Sequence, residues 1–339
     1  MELTNRLVLV TGGAGFIGSH LVEALLNAGA RVRVLDNFIN GRMENLPPLF
    51  YRYPLQVIAG DVRDGPALTE ACKGVAVVFH LACLGVRHSI HSPKENHEVN
   101  ALGTLRTLAA ARASGVARFV YVSSSEVYGT ALRVPMDESH TTFPRTVYGA
   151  SKLAGEAYAR AYYHTYDFPI VIVRPFNAYG PRCHHEGDSG EVIPKFVLRA
   201  LAGRPPIIFG DGSQRRDFTF VKDTARGILL AANSEAALGE TVNLASGCEV
   251  SIGALAELVL RLTGRTDLRP QYAPPRPGDV QRLFADVEYA ADLLRFRPST
   301  PFEIGLQNLI AWYQSLGRRP EELLEEEQVS NWIPQEFER

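Results

Sequence analysis

The sequence predicts an α/β fold in which helices cover both faces of a doubly wound parallel sheet. Two observations predict it: short apolar segments alternate with helical patterns through the first half, and these segments are rich in β-branched residues. Such buried strands are typical of parallel sheets that are covered on both faces. A chain of 339 residues is also long enough for roughly two domains. We therefore expect a smaller mixed α/β region after the sheet.

Each predicted element follows from its local pattern. The first helix, SHLVEALLNAG, lies between two apolar strands and ends at a glycine stop signal. The strands of the sheet are predicted in RLVLVTG, ARVRVLD, LQVIAGD, VAVVFHLA, ARFVYVSS and PIVIVRPFN. Further helices are predicted near Pro66–Cys72, from about Pro93 to Ser114, and from about Val147 to Tyr166.

After Ala178 the alternation stops, and loops rich in Pro, Gly and charged residues follow. The first domain is expected to comprise residues 1–177 with a returning segment near 215–247. The second, substrate-facing region is expected at 178–214 with 248–316, and a tail at 317–339. The returning segment includes a strand near Glu240–Ala245. The amphipathic helix FEIGLQNLIAWYQSL is expected to pack on the second region, and the tail to fold back through Trp332 and Phe337.

Composition and charge argue against several classes of function. The chain has 35 Lys and Arg against 37 Asp and Glu, a formal net charge of -2, so no basic surface for a nucleic acid is indicated. No apolar run reaches the ~18 residues of a membrane span, and the N-terminus MELTNRLVLV lacks the regions of a signal peptide. The cysteines, Cys72, Cys83, Cys183 and Cys248, form no CxxC pair. A reduced, cytoplasmic location is therefore expected.

A glycine-rich turn joins the first strand to the first helix in LVLVTGGAGFIGSHLVEAL. Gly12, Gly15 and Gly18 permit a tight turn and let a pyrophosphate approach the backbone at the helix N-terminus. Asp36 ends the second strand, where a carboxylate accepts hydrogen bonds from both ribose hydroxyls and repels a 2′-phosphate. The pattern therefore predicts NAD rather than NADP. Asp61, in AGDVRD, is expected either to contact the adenine or to cap a helix.

Three polar residues predict chemistry on an alcohol. Tyr148 and Lys152 are four residues apart on a predicted helix and therefore share one face. Ser124 follows the fifth strand at its carboxyl end, where such sheets bind ligands. A lysine ammonium and a nicotinamide cation favour the phenolate of a tyrosine, whose pKa is ordinarily about 10. The set is suited to removing a proton from an alcohol while NAD accepts the hydride.

The motifs TGGAGFIG, HLA, SSSEVYG, YGASK and RPFNAYGPR together resemble the extended short-chain dehydrogenase/reductase family, which includes nucleotide-sugar epimerases and dehydratases. The resemblance covers about residues 3–315. It implies a Rossmann domain that holds NAD tightly, a C-terminal site for a nucleotide-diphosphate sugar, and a homodimer formed through two helices. It also implies transient oxidation at sugar C4, because a 4-keto group makes the C5 proton acidic.

The resemblance implies roles for particular residues. Tyr148 would be the base at C4, Lys152 its electrostatic partner, and Ser124 the hydroxyl that orients the sugar. The implied substrate contacts are Asn177 at the diphosphate, Arg216 and Arg276 as phosphate clamps, and Asp279 near the nucleoside ribose. The choice between Arg215 and Arg216 stays open. The expected cofactor contacts are Gly12, Gly15, Phe16, Ile17, Gly18, Asp36, Asn37, Asp61, Val62, Leu81, Ala82, Tyr148 and Lys152.

Glu126, in SSSEVYG, bears on which reaction is catalysed. A 4-epimerase needs no carboxylate, whereas loss of water across C5 and C6 needs one group to remove the C5 proton and another to protonate the leaving hydroxyl. A Glu here resembles GDP-mannose and UDP-GlcNAc 4,6-dehydratases and UDP-glucuronate decarboxylases. The GVR.S pattern in HLACLGVRHS is instead shared with epimerases of hexoses and hexuronates.

We therefore expect an NDP-sugar 4,6-dehydratase, with Glu126 as the C5 base and Ser125 or a water assisting loss of the 6-hydroxyl. The alternative is a 4-epimerase of a UDP-hexose or UDP-hexuronate. A decarboxylase and a non-catalytic NAD-binding sensor come after these two. The spacing of the histidines, His88, His91, His97, His184 and His185, does not indicate a metal site. Cys83 is expected to be a small buried hydrophobe, and the tyrosines Tyr158, Tyr162 and Tyr163 to form either a subunit contact or a core face.

Overall fold

The centre of the fold is a parallel sheet whose strands come from the first three quarters of the chain. The computed structural model describes residues 1–46 and 55–332. Its strands are, in chain order, β1 Leu7–Thr11, β2 Arg31–Asp36, β3 Leu55–Ala59, β4 Val77–His80, β5 Arg118–Val122, β6 Ile170–Pro175, β7 Ala178–Tyr179, β8 Ile207–Phe209, β9 Arg215–Asp217, β10 Thr219–Phe220, β11 Thr241–Leu244, β12 Glu249–Ser251, β13 Gln271–Ala273 and β14 Arg282–Leu283.

Seven of these strands form the central sheet, in the order β11-β6-β5-β4-β1-β2-β3. Every neighbouring pair in it is parallel. The order reverses between β1 and β4, which are adjacent in space although β2 and β3 lie between them in sequence. Ligands of doubly wound sheets bind at such a reversal, outside the carboxyl ends of the strands.

Helices cover both faces of this sheet. The helices of the described residues are, in chain order, α1 Phe16–Asn27, α2 Gly65–Cys72, α3 Val86–His91, α4 Pro93–His97, α5 Gly103–Ala113, α6 Val147–Tyr166, α7 Val192–Leu201, α8 Val221–Asn233, α9 Ile252–Leu262, α10 Glu288–Leu294, α11 Phe302–Ser315 and α12 Pro320–Leu324. Helices α1 and α8 share a core with Val8 and Val10 of β1. Leu9 lies in the opposite core, with α2, α5 and α6. Successive strand residues point to opposite faces, so β1 is buried on both sides.

A smaller mixed part of the fold begins at the carboxyl edge of the sheet, because only Phe176 and Asn177 separate β6 from β7. In it, β7 pairs with β10, β8 pairs with β13, and β9 lies between β12 and β14. Side chains from α7, α9 and α11, among them Val197, Val259 and Leu309, form a core of their own. This part therefore stands directly beside the reversal point of the sheet.

The predicted doubly wound sheet is confirmed, and β11 returns to it beside β6 as expected. The helix expected over residues 93–114 is divided, since a π-helical turn at Glu98–Leu102 joins α4 to α5. Helix α1 begins at Phe16 rather than Ser19, because Gly15 and not a polar side chain occupies the N-cap position. Helix α3 was not predicted, since its sequence VRHSIH is short and carries no clear apolar periodicity.

Helix α6 is capped at both ends and packs one face onto the core. The Thr146 hydroxyl accepts a hydrogen bond from the Gly149 amide at 3.1 Å at its start. The tyrosines Tyr158, Tyr162 and Tyr163 are half-buried and pack against the core that α6 shares with α2 and α5. These contacts favour a core face over a subunit contact, and the homodimer stays a prediction.

A buried network of charges ties α6 to the sheet. Glu156 of α6 is fully buried, and its carboxylate accepts hydrogen bonds from Arg174 Nε at 2.8 Å and Nη2 at 2.7 Å. Ser123 Oγ donates to the same carboxylate at 2.6 Å, and Arg160 Nη2 at 2.7 Å. Burial opposes ionisation, but the bonds and charge of Arg174 outweigh it and hold the pKa of Glu156 below its usual value. The network thus fixes Ser123, directly before Ser124, relative to α6.

Replacing Glu156 with Gln is expected to lower the free energy of unfolding by on the order of 3 kcal/mol, because Arg174 is left buried without full compensation. The apparent midpoint of thermal unfolding, measured at matched NAD content, reports this loss. Glu288→Gln is the matched control, since its pair with Arg297 is 65% and 61% exposed and exposed pairs contribute little. Equal midpoints for the two variants would contradict a structural role for the network.

Candidate active site

A cavity of about 460 Å³ opens at the carboxyl ends of the strands. Its wall is made by the turn after β1, the segments after β4 and β5, the first turn of α6, and residues of the smaller mixed part. The cavity therefore lies at the reversal point of the sheet and is shared between the two parts of the fold.

The glycine turn fits a dinucleotide pyrophosphate. Gly12 has φ +70°, and a Cβ built on it would lie 2.8 Å from the Ala82 amide nitrogen. A Cβ on Gly18 would overlap the carbonyl oxygen of Gly12, so the first turn of α1 can approach the turn closely only without a side chain there. The N-terminus of α1 therefore faces the cavity with bare backbone, which is the arrangement that binds a phosphate group.

Asp36 stands at the carboxyl end of β2 and is almost completely buried. Its Oδ2 accepts a hydrogen bond from the Ala14 amide and its Oδ1 one from the Phe38 amide, both at 2.9 Å. Burial raises the pKa of this carboxyl, and the two amide bonds only partly oppose the change. The carboxylate retains lone pairs that would accept from a ribose diol, as the sequence predicts.

The predicted cofactor contacts Gly12, Gly15, Phe16, Ile17, Gly18, Asp36, Asn37, Val62, Leu81 and Ala82 all line the cavity. Asp61 differs from them, because its carboxylate accepts bonds from Asn37 Nδ2 and Arg63 Nη2 at 2.8 Å each and is not part of the cavity wall. The alternative expectation, that Asp61 caps a helix, is wrong: Asp64 caps α2, accepting from the Ala67 amide at 3.3 Å. A contact between Asp61 and the adenine stays a prediction.

Ser124, Tyr148 and Lys152 meet on the cavity wall. The Ser124 hydroxyl hydrogen-bonds with the phenol of Tyr148. Lys152 Nζ donates to the Val122 carbonyl oxygen at 2.6 Å and lies 4.8 Å from the centroid of the Tyr121 ring. The three residues that the sequence groups together therefore line the same cavity.

The pKa of Tyr148 is raised above its ordinary value, and the phenolate expected from Lys152 together with a nicotinamide cation stays a prediction. Burial is the main cause, and the neighbouring Cys83, Glu126 and Glu191 add to it, while the hydrogen bond from Ser124 opposes it. Burial also lowers the pKa of Lys152, so its ammonium form is less favoured than that of a lysine on the surface. A bound nicotinamide cation would favour the phenolate of Tyr148, whereas its like charge would lower the pKa of Lys152 further.

Glu126 lies in the short 3-10 turn Ser125–Val127. The Ser124 hydroxyl oxygen accepts a hydrogen bond from the Glu126 amide at 3.2 Å at the start of this turn. Burial raises the pKa of the Glu126 carboxyl, and the charges of Arg216 and Arg276 oppose the rise. Ser125 is buried beside it, and both residues line the cavity. Glu126 therefore stands between the Tyr148 phenol and a group of arginines.

Arg216 and Arg276, for which a phosphate-binding role is predicted, both line the cavity and are joined through one carboxylate. Asp279 Oδ1 accepts from Arg216 Nη2 at 2.9 Å and from Arg276 Nη2 at 2.7 Å. Arg215 is instead exposed and pairs with Glu249 at 3.4 Å, so Arg216 is the one that faces the cavity. Asn177 also lines the cavity and donates to the Asp217 carbonyl oxygen at 3.3 Å. Asp279, expected near the nucleoside ribose, holds the two guanidinium groups together.

Three further charged residues of the wall were not predicted as functional: Arg87, Glu191 and Lys195. Burial, then Arg276, lowers the pKa of Arg87 to about 10, and burial raises the pKa of Glu191 to about 7. Burial likewise lowers the pKa of Lys195 to about 7. The GVRHS motif was a usable signal for Arg87. Glu191 and Lys195 had none, because they lie in an ordinary amphipathic helix start, GEVIPKF.

The structure also places Cys83 and the histidines that the sequence analysis considered. Cys83 is exposed and lines the cavity, so the expectation of a buried hydrophobe is wrong; it follows β4 where the chain turns away from the sheet. Histidines pair with carboxylates, as His91 does with Asp188 at 2.9 Å and His184 with Glu186 at 3.1 Å. Within residues 1–46 and 55–332, no group of three or more His, Cys, Asp and Glu side chains is arranged to hold a metal ion.

The glycine turn, the carboxylate after β2 and the Ser–Tyr–Lys set define a dinucleotide-dependent enzyme of the short-chain dehydrogenase type. The sequence profile of the NAD dependent epimerase/dehydratase family matches residues 8–245. The chain belongs to this family and is an NAD-dependent enzyme. None of the helices in the described residues is long and apolar enough to cross a membrane.

Similar proteins include both reaction types of the family. A putative UDP-glucose 4-epimerase of Methanocaldococcus jannaschii is 35% identical over 92% of this chain and 100% of its own length. The UDP-glucose 4-epimerase of Thermotoga maritima, whose crystal structure contains UDP-glucose, is 32% identical to this chain. The match covers 91% of this chain and 99% of the other, with a TM-score of 0.86. The dTDP-glucose 4,6-dehydratase of Streptomyces venezuelae, with NAD bound, is 33% identical over 92% and 98%, with a TM-score of 0.87.

The glycine turn provides a direct test of the cofactor site. Gly12→Ala is expected to lower the NAD content of the purified protein at least tenfold, because the added methyl group would press against the backbone at Ala82. Nucleotide released from denatured protein, quantified per chain, measures this. Gly74→Ala is the matched control, since Gly74 has a similar φ of +67° but open space around it. Full NAD content in Gly12→Ala would refute the assignment of the turn.

Proposed function

We propose that the protein is an NAD-dependent 4-epimerase of a UDP-hexose. The observation that carries the proposal is the joined set of Ser124, Tyr148 and Lys152 on the cavity wall, next to a clamp of arginines for a diphosphate. This set suffices for reversible oxidation at C4, which is all that inversion at C4 requires. The relatives named as UDP-glucose 4-epimerases support the same reaction.

Each residue has a task in this reaction. Bound NAD supplies the acceptor for the hydride of C4 and returns it. The Tyr148 oxygen accepts the proton of the C4 hydroxyl as the C4–H bond breaks, and gives the proton back when the hydride returns to the other face of the 4-keto sugar. Ser124 donates to the sugar oxygen and orients it, while the Lys152 ammonium stabilises the phenolate form of Tyr148.

The charges around Glu126 support epimerisation. The groups that act on its carboxyl, after burial, are Arg216, Arg276 and Asp279, which make up the clamp, and the neighbouring Arg87. A carboxylate that balances phosphate-binding arginines has a structural reason to be present without acting on C5. Its negative charge also raises the pKa of Tyr148, which makes the phenolate a stronger base toward the C4 hydroxyl of the sugar.

A 4,6-dehydratase is the second candidate, because Glu126 also has the properties of a base for the C5 proton. Burial raises the pKa of its carboxyl, and Glu126 faces the same cavity as Tyr148. In this reaction Glu126 would take the C5 proton of the 4-keto sugar, and the 6-hydroxyl would leave as water after protonation beside Ser125. The dehydratase among the similar structures keeps this candidate in place.

The mass and NMR spectrum of the product decide between the candidates. Purified protein is incubated with UDP-glucose, UDP-GlcNAc, UDP-glucuronate, dTDP-glucose and GDP-mannose in D₂O. For the epimerase we expect UDP-galactose from UDP-glucose, with no change in mass and no deuterium at C5. Loss of one water would identify a dehydratase, and loss of carbon dioxide a decarboxylase. Either loss, without C4 inversion, would contradict the proposal.

The variant Glu126→Gln separates the roles of this carboxyl. In an epimerase, kcat/KM should fall by less than about tenfold, and the rising limb of its pH profile should move to lower pH, because removing the charge lowers the pKa of Tyr148. Tyr148→Phe is the control that removes the C4 base, and its turnover should fall by roughly 10²–10⁴-fold with NAD still bound. An equally large loss in Glu126→Gln would instead identify Glu126 as a catalytic base.

A further inference from the structure

The C-terminal segment, Glu326–Trp332, lies against the cavity and is held there by main-chain contacts. Lys195 Nζ donates to the Gln328 carbonyl oxygen at 2.7 Å, and the Gly187 amide donates to the Glu326 carbonyl oxygen at 3.0 Å. Arg199 pairs with Glu327 at 2.9 Å. Glu327, Val329, Asn331 and Trp332 line the cavity. The segment therefore forms one wall of the substrate site.

Asn331 fixes the end of the C-terminal segment. It is 1% exposed, and its Nδ2 lies 3.2 Å, 3.3 Å and 3.0 Å from the carbonyl oxygens of Gly187, Asp188 and Gly190. A buried amide with three carbonyl acceptors leaves little freedom for the residue that follows it. Trp332 is therefore presented to the cavity at a defined place.

The segment passes the positively charged end of the site. Lys195, which bonds to Gln328, has Arg87 and Arg276 among the charges that act on it, and all three residues line the cavity. Arg276 is part of the clamp with Arg216. An anionic diphosphate is the ligand group that matches this cluster, on the function proposed above. Gln328 thus lies beside the cluster that matches a diphosphate. Trp332 follows four residues further along the segment.

At Trp332 the cavity becomes aromatic. The rings of Trp332 and Phe209 lie edge to face, with centroids 4.6 Å apart and planes at 85°. Both residues are half-buried and line the cavity, together with the aliphatic side chains of Val329 and Ile252. Phe209 is held from behind, because Gln214 Nε2 donates to its carbonyl oxygen at 2.7 Å. Apolar walls with two aromatic rings are suited to a flat heterocycle, and stacking of this kind binds bases.

We propose that Trp332 contacts the nucleobase of the nucleotide sugar, so that the C-terminal segment completes the nucleotide site and contributes to substrate selection. This inference rests on the proposed function, because a nucleotide sugar joins a diphosphate to a base. The diphosphate lies at Arg216, Arg276 and Lys195, and the base lies against the cavity side of the Trp332 and Phe209 pair. Trp332 is a binding residue here and takes no part in proton transfer.

The chain contains two tryptophans, Trp312 and Trp332, which makes fluorescence a direct test. Trp312 lies in α11, packs on the core of the smaller part and is not in the cavity wall. In Trp312→Phe, titration with UDP should quench the remaining emission of Trp332. In Trp332→Phe, the emission of Trp312 should not change. Inorganic pyrophosphate, which has no base, should leave the emission of both variants unchanged.

Binding measured by calorimetry on the NAD-loaded protein gives the second readout. Trp332→Ala should raise the Kd for UDP about tenfold, leave the Kd for pyrophosphate and the NAD content unchanged, and be largely rescued in Trp332→Phe. If UDP binds but neither quenches Trp332 nor loses affinity in Trp332→Ala, the inference is overturned while the proposed function stands. If UDP does not bind at all, the inference and the UDP-hexose assignment both fail.

Discussion

The contact between the backbone at Gly12 and the chain leaving β4 sets the geometry on which the rest of the site depends. Because a side chain at Gly12 would meet Ala82, the carboxyl ends of β1 and β4 can touch only as they do here. Their contact opens the crevice at the reversal of strand order and directs the N-terminus of α1 into it. The segment after β4 then continues along the wall to Cys83 and Arg87.

Burial of charge is the second organising constraint. The wall holds Arg87, Arg216, Arg276 and Lys195 against Glu126, Glu191 and Asp279. Loss of hydration lowers the pKa of Lys195 and raises that of Glu191, so each group is held near the boundary between its charged and neutral forms. An incoming diphosphate would stabilise the cationic forms, and its own dehydration would be offset by oriented guanidinium groups. The buried charges are thus arranged at a cost in hydration free energy that a bound diphosphate would offset.

Local signals were sufficient for the sheet and for the cofactor side of the site. Apolar strands, a glycine turn and a carboxylate after β2 act over a few residues, so the sequence predicts them directly. The spacing of Tyr148 and Lys152 was likewise readable, since a helix places residues four apart on one face. The direction in which the pKa of Tyr148 is shifted could not be predicted from the sequence. That shift depends on burial and on Cys83, Glu126 and Glu191, which come from distant parts of the chain.

The substrate side was harder to predict for the same reason. The choice of Arg216 over Arg215 follows from strand β9, where neighbouring side chains point in opposite directions and Asp279 meets only one of them. Glu191 and Lys195 belong to a helix start whose pattern carries no sign of function. The return of the tail through Trp332 was expected, whereas its place in the cavity wall was not. Phe337, the other anchor expected there, lies outside the described residues.

The way the C-terminal segment is attached has an evolutionary consequence. At Gln328 and around Asn331 the contacts run to main-chain carbonyl oxygens, which every amino acid provides. Residues between these anchors can therefore be exchanged without disturbing the strands or the dinucleotide turn. If Trp332 contacts the nucleobase as proposed, exchanges in this segment would change which nucleotide is preferred, while Ser124, Tyr148 and Lys152 stay in place.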